Sequence, residues 1–78
     1  MTEVILPELG EGIKSAMVAF WHCQVGDAVK KDSDLVELVT DKATFNVSSD
    51  VDGVIKEILV AEGEEAAIGQ VLAVIVNS

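Results

Sequence analysis

Val71-Leu72-Ala73-Val74-Ile75-Val76 is an unbroken apolar run with Gly69 standing just ahead of it. An amphipathic helix needs polar residues between apolar ones at three- and four-residue spacing, and this run has none. A short, β-branched-rich segment bounded by a turn former reads as a strand. The same reading repeats upstream. Glu3–Leu6, Met17–Val25, Asp34–Thr40, Thr44–Val47 and Val54–Val60 are strand-like, with short extended pieces at Ala28–Lys30 and Glu65–Ala67. They are cut at Gly10-Glu11-Gly12, Gly26-Asp27, Lys31–Ser33, Ser48–Gly53, Glu62-Gly63-Glu64 and Gly69. Eight short strands with frequent turns predict an all-β chain: a flattened antiparallel barrel or sandwich of two four-stranded sheets.

The chain also resembles itself. A slide of 37 residues lays Gly26-Asp27 on Gly63-Glu64, Leu35 on Leu72, Leu38 on Ile75 and Val39 on Val76. The same slide puts Trp21 on Ile58 and Cys23 on Val60. Identities are few, but the matches fall on the turn glycine and on the inward-facing alternation, the positions that geometry constrains most. We read two half-domains related by a pseudo-two-fold. Each has too few strands to cover its own apolar face, so the two must pack together.

Seventy-eight residues allow one small domain, 1–78. Five lysines and no arginine stand against fourteen Asp and Glu, giving −9. A nucleic-acid or anionic-membrane surface needs a basic patch, which this balance does not provide. Cys23 is the one cysteine, so the class of small secreted domains stapled by disulfides drops out. The apolar runs are far too short for a membrane-spanning helix. Acyl carrier proteins share this size and acidity, but they are helical. Their attachment serine sits between Asp and Leu, whereas Asp32-Ser33 here is followed by Asp34.

Several residues invite a chemistry that the pattern does not support. His22 and Cys23 are adjacent, and neighbours on a strand face opposite ways, so they cannot serve as base and nucleophile. Cys23 shares a face with Trp21 and reads as a buried small hydrophobe, with His22 outside. Phe20 alternates with Trp21, and Trp21 is the expected core residue. One His and one Cys fall short of a zinc set. Asp50-Val51-Asp52-Gly53 resembles a calcium loop, but its Gly comes too early and no Glu closes it. Gly10-Glu11-Gly12 lacks the lysine and helix of a phosphate cradle.

Thr40-Asp41-Lys42-Ala43-Thr44 joins the two repeats. It has no Gly or Asn, which disfavours a turn with positive φ at both central residues. Asp41 suits the first position of a type I turn, with Lys42 and Ala43 in its middle. A lysine at such a tip points into solvent, and in an arbitrary β protein it is plain solvated charge. Here its surroundings single it out. Gly26 precedes Lys42 by sixteen residues, with Val29, Leu35 and Leu38 between, and Ala43, Thr44, Val47, Gly53 and Ile55 follow.

This ordered set resembles the attachment site of lipoyl domains, the carrier modules of the dihydrolipoamide acyltransferase component of 2-oxo acid dehydrogenase complexes. Leu6-Pro7-Glu8-Leu9-Gly10-Glu11-Gly12-Ile13 is similar to that family's first strand and loop. Val54-Ile55-Lys56-Glu57-Ile58-Leu59-Val60, after Gly53, is similar to a later strand of the family. The likeness covers essentially the whole chain. Biotinyl carrier domains share the fold but frame their lysine with methionines, whereas Met1 and Met17 lie away from Lys42 in sequence. Glycine-cleavage carriers are longer. A biotinyl carrier of a carboxylase is the alternative, and an unmodified β-sandwich interaction module is a third reading.

The resemblance implies lipoic acid in amide linkage to Lys42, placed there by a lipoyl ligase or by octanoyl transfer and sulfur insertion. Lys14, Lys30, Lys31 and Lys56 match no attachment position. It implies that Asp41 and Ala43 flank the site and guide partner enzymes. It implies recognition by the decarboxylase component through the Glu8–Ser15 loop, with Glu8, Glu11 and Lys14 as the named residues. The partners so implied are the 2-oxo acid decarboxylase, the acyltransferase catalytic domain that passes the acyl group to CoA, and dihydrolipoamide dehydrogenase. The domain is itself non-catalytic, monomeric and the N-terminal part of a longer chain. Thr40–Thr44 leans toward the pyruvate complex. Because Met1 leads straight into the domain, bacterial cytoplasm is expected over mitochondrial matrix.

Overall fold

The computed structural model of the chain describes residues 1–77. Its elements are β1 (Thr2–Ile5), β2 (Ser15–Trp21), β3 (Ala28–Val29), β4 (Asp34–Val39), β5 (Thr44–Ser48), β6 (Gly53–Ile58), β7 (Glu65–Ala67) and β8 (Val71–Asn77). There is no helix among the described residues. Two four-stranded sheets, ordered β1-β8-β6-β3 and β5-β4-β2-β7, are antiparallel throughout. Exchanging β1 with β5, β2 with β6, β3 with β7 and β4 with β8 turns one strand order into the other, as the internal repeat requires.

The symmetry reaches individual hydrogen bonds. Gly26 N donates to Ile55 O (2.8 Å) and Ile55 N to Asp27 O (2.9 Å). Thirty-seven residues on, Gly63 N donates to Val18 O (2.7 Å) and Val18 N to Glu64 O (2.8 Å). Each half therefore ties its glycine turn to the central strand of the other. Both glycines have positive φ, +95° and +87°, which favours the residue without a Cβ. The acidic residue after each glycine closes the turn: Asp27 accepts from Gln24 N and Glu64 from Ala61 N, both at 2.8 Å.

These turns begin earlier than the apolar pattern suggests, so the strands expected over Met17–Val25 and Val54–Val60 stop at Trp21 and Ile58. Beyond Trp21 the backbone still pairs, with His22 N on Leu35 O at 2.8 Å. Trp21 is buried and bridges the halves, its indole Nε1 donating to Val60 O at 2.8 Å. Phe20 lies 45% exposed, on the outside. The core is the repeat written twice. Val18 and Ile55, Leu35 and Leu72, and Leu38 and Ile75 are all buried at matching positions.

One matching pair breaks the volume symmetry. Ala16 faces Ala66 across β2 and β7, whereas Gly53 faces Val29 across β6 and β3. A Cβ on Gly53 would collide with the Val76 carbonyl and come within 2.6 Å of Ile75 Cγ2. The neighbour is backbone, so little can yield. Gly53→Ala should lower stability by about 1–3 kcal/mol through overpacking. Chemical denaturation followed by Trp21 fluorescence measures it, and an unchanged midpoint would refute the account.

Candidate functional site

β4 and β5 pair as far as Val39 and Thr44, which leaves Thr40–Ala43 as the hairpin tip. Thr40 N donates to Ala43 O at 2.9 Å. The Thr40 hydroxyl also donates to Ala43 O (2.9 Å) and accepts from Lys42 N (3.2 Å) and Ala43 N (3.1 Å). Thr40, not Asp41, is therefore the first residue of the turn, and Asp41 and Lys42 form its middle. The hydroxyl wins because it reaches two amides and a carbonyl at once, which the Asp41 carboxylate does not do here. Neither Asp41 nor Lys42 has positive φ, as expected without Gly or Asn.

Asp41, Lys42 and Ala43 are all exposed. Exposure alone does not select Lys42, because Lys14, Lys30, Lys31 and Lys56 are exposed too. Placement does. Lys31 sits in a turn whose backbone is held by the Asp52 carboxylate, with Lys31 N to Asp52 Oδ1 at 2.8 Å. Lys56 lies on β6 and Lys14 at the foot of β2. Lys42 alone of the five stands in the two-residue tip of a hairpin.

Beside that tip runs the connection from β1 to β2, the place where the repeat departs from symmetry. Leu6 N donates to Gln70 O (2.9 Å) and Gly69 N to Leu6 O (2.8 Å). Ser49 N donates to Ser33 O (2.8 Å) and Asp32 N to Ser49 O (2.7 Å). Leu6 and Ser49 are thus equivalent, as are Ala16 and Gly53, so the first connection is six residues longer than the second. The short one is pinned by buried Ser49, whose hydroxyl donates to Val51 O at 2.6 Å. The long one, residues 7–14, folds over the hairpin.

There the Lys42 ammonium donates to Glu11 O at 3.3 Å, across 31 residues of sequence. A cleft of about 220 Å³ between loop and hairpin is lined by Gly12, Ile13, Lys14, Ser15, Thr40, Asp41 and Lys42. Of the expected recognition residues, Lys14 lines this cleft and Glu11 reaches Lys42 through its carbonyl, not its carboxylate. Glu8 is exposed, and with Glu11 and Lys14 it lines a second hollow that also includes Ile13 and Ile68. Thr40 and Gly12 are site residues that the sequence reading passed over. For Thr40, the turn preference of β-hydroxyl residues was the available signal.

The competing pair is settled by position. His22 is exposed and Cys23 buried, pointing apart. His22 Nε2 lies 3.3 Å from Asn46 Oδ1, and the Cys23 thiol lies 3.9 Å from Leu35 O. Burial pushes the Cys23 thiol up from its ordinary pKa, with the Asp27 carboxylate adding to the shift. A raised pKa leaves less thiolate at any given pH, so the group is chemically quiet.

A family model described as "biotin-requiring enzyme", the biotin/lipoyl family, matches residues 2–75. The succinyltransferase component of the 2-oxoglutarate dehydrogenase complex of Staphylococcus saprophyticus is 45% identical over 96% of this chain and 18% of its own length. The acetyltransferase component of the pyruvate dehydrogenase complex of Staphylococcus epidermidis is 37% identical over 90% of this chain and 16% of its own. The chain thus spans less than a fifth of these curated relatives. The solution structure of the lipoyl domain of the 2-oxoglutarate dehydrogenase complex of Azotobacter vinelandii superposes with a TM-score of 0.80. It is 35% identical, over 99% of this chain and 98% of that one.

Two measurements test the site as described. Thr40→Val should cost about 0.5–1.5 kcal/mol, one net hydrogen bond, and speed amide exchange at Lys42 and Ala43, with Thr40→Ser restoring both. Equal exchange in Thr40→Val would remove the hydroxyl from the turn. Native Cys23 should react with a thiol reagent at least about tenfold more slowly than the urea-unfolded chain; equal rates would place the thiol at the surface.

Proposed function

This chain belongs to the biotin/lipoyl attachment family, among its lipoyl domains, and on that footing we propose that Lys42 is the lipoyl-bearing residue of a swinging-arm carrier. The observation that carries the reading is the fixed hairpin tip. Lys42 is exposed, its turn is held at three points by the Thr40 hydroxyl, and it lines an open cleft. Lipoyl domains carry lipoic acid covalently on a lysine, and the residues here fit that group. The ε-amine is accessible for amide formation, and small Ala43 beside it leaves room for a modifying enzyme.

When bound, lipoic acid supplies a strained cyclic disulfide that takes up an acyl group with reduction and gives it up again. The chain's own residues supply placement. Thr40 fixes the point from which the side chain swings. The paired strands β4 and β5 keep that point clear of the body. Amide formation removes the Lys42 charge and takes the chain from −9 to −10. No residue of this chain need move a proton for the transfer, so the domain is a carrier and not a catalyst.

The partners that fit are a 2-oxo acid decarboxylase to load the arm, an acyltransferase catalytic domain to unload it to CoA, and dihydrolipoamide dehydrogenase to reoxidise it. A lipoyl ligase or octanoyltransferase would charge Lys42. The strong negative charge favours encounter with basic enzyme mouths, an effect on association rate that salt screens. Asp41 and Ala43 at the tip, and Lys14 on the cleft, are the side chains such enzymes meet first. We place residues 1–78 as a single carrier domain of a longer protein, as the matched segments of its relatives are. The tip sequence Thr40–Thr44 leans toward pyruvate, while the relatives of 45% and 43% identity belong to 2-oxoglutarate complexes.

Intact mass and peptide mapping after expression with lipoate and a lipoyl ligase should give a lipoyl increment confined to the Lys42 peptide and absent in Lys42→Ala. Incubating the modified chain with each decarboxylase and its 2-oxo acid then assigns the complex by the mass gained, acetyl or succinyl. A biotin increment would move the chain to the carboxylase carriers. An unmodified lysine under both conditions would reject the carrier reading.

A further inference from the structure

Resting on the attachment assigned to Lys42, we propose that Gly12 and the Glu11 carbonyl are a seat for the unmodified Lys42 ammonium. The seated side chain straps loop 7–14 to the hairpin, and acylation of Lys42 releases it. Two separate features of the loop converge on this lysine. The Glu11 carbonyl accepts from Nζ at 3.3 Å. A Cβ built on Gly12 would stand 3.2 Å from the same Nζ, tighter than ordinary van der Waals contact. A side chain at position 12 would press on the end of the lysine, which would have to shift by a few tenths of an ångström to keep its place. Gly12 also has φ +81°, where a side chain is strained regardless of space.

The rest of the loop makes the strap consequential. Ile13 N donates to Gly10 O at 3.2 Å within the loop, and Ile68 N on Lys14 O at 3.0 Å ties the loop's end to the body. Among the described residues, the hydrogen bond to its tip at Glu11 and Gly12 comes from Lys42. An ammonium brings three donors and a charge to a carbonyl, which strengthens the bond. An amide at Nζ keeps one donor, loses the charge and adds bulk where Gly12 already leaves little room. An enzyme that modifies Lys42 therefore meets a strapped loop, and an enzyme that acts afterwards meets a released one. The loop thereby distinguishes unmodified from modified domains before any partner touches the arm itself.

Amide hydrogen exchange and ¹⁵N order parameters for residues 11–13 test the strap. They are compared in the unmodified chain, in the chain with N-acetyl-lysine placed at position 42 during translation, and in Lys42→Met and Lys42→Arg. The Ile13 amide should exchange about two- to tenfold faster in the acetylated and Lys42→Met forms, the range of one net hydrogen bond. Lys42→Arg, which keeps a charged donor, should stay near the unmodified rate. Equal exchange in the unmodified, acetylated and Lys42→Met forms would overturn the strap, as would an equal speeding of the Ile68 amide, which would signal general loosening. Translation sets the site of acetylation, so the result does not depend on what a ligase selects. Lipoate mapped to another lysine would sink the attachment and leave the strap standing; equal exchange would do the reverse.

Discussion

The amide of Gly26 donates to Ile55 and Ile55 donates back to Asp27, while Gly63, Val18 and Glu64 repeat the exchange with the halves reversed. Everything else in the fold depends on this crossed pair of turns. Each half ends its central strand in a glycine turn whose glycine amide and following carbonyl find their partners in the other half. A turn left unpaired would carry buried or half-buried polar backbone at a cost of about 1–3 kcal/mol per group. Neither half is therefore a folding unit, and the two must close together. Trp21 adds a third tie, its indole reaching the Val60 carbonyl from the opposite half. The result is a small body whose two halves are tied by backbone and indole hydrogen bonds, with its one cysteine free and buried.

The candidate site lies where that symmetry breaks. The connection after Leu6 is six residues longer than its mate after Ser49, and those residues are what reach the hairpin. Symmetric regions are constrained by packing, since each buried side chain has a counterpart that must fit the same kind of hole. The long loop has no counterpart and is free to carry a different task. Gly12 belongs to this asymmetric part. Its missing side chain serves no turn in the opposite half but makes room for the end of Lys42. Ser49 is the corresponding device on the short side, a buried hydroxyl that closes a tight connection where Leu6 opens a long one.

Most of the fold was legible because period-two alternation and turn glycines act locally and were written twice. Val71–Val76 gave β8 almost to the residue, and Gly26 with Gly63 gave the two-fold. Strand ends were less legible. Met17–Val25 overran because nothing in an apolar run announces that the Asp27 carboxylate will fold Gln24 back into a turn. The hairpin tip was located but framed one residue late. Asp41 and Thr40 are both good turn starters, and the choice between them depends on where the β4–β5 register ends, which is a tertiary fact. Glu11 was named for its carboxylate, yet the atom that meets Lys42 is its carbonyl, and a backbone contact across 31 residues leaves no mark on composition. Glu8 was grouped with it by sequence proximity, and the loop's path keeps the two, with Lys14, around one hollow beside the hairpin cleft.

A carrier works by dividing motion sharply between an arm that moves and a body that does not. With the arm on Lys42, as proposed, the hydrogen bonds of Thr40 set that boundary at the Lys42 side chain, because they engage the amides of both Lys42 and Ala43. If the tip frayed, the swing would begin at Val39 and Thr44, and the same arm would be spread over a larger volume. Tethered reactions depend on effective concentration, which falls as that volume grows from the millimolar range typical of short linkers. A hydroxyl worth about 1 kcal/mol to the turn therefore does more for transfer than its share of stability suggests. The crossed glycine turns have the same consequence one level down. They tie the turn after β2 to β6 and the turn after β6 to β2, and β2 in turn pairs β4, so a hairpin that projects from a body this small still has a fixed base.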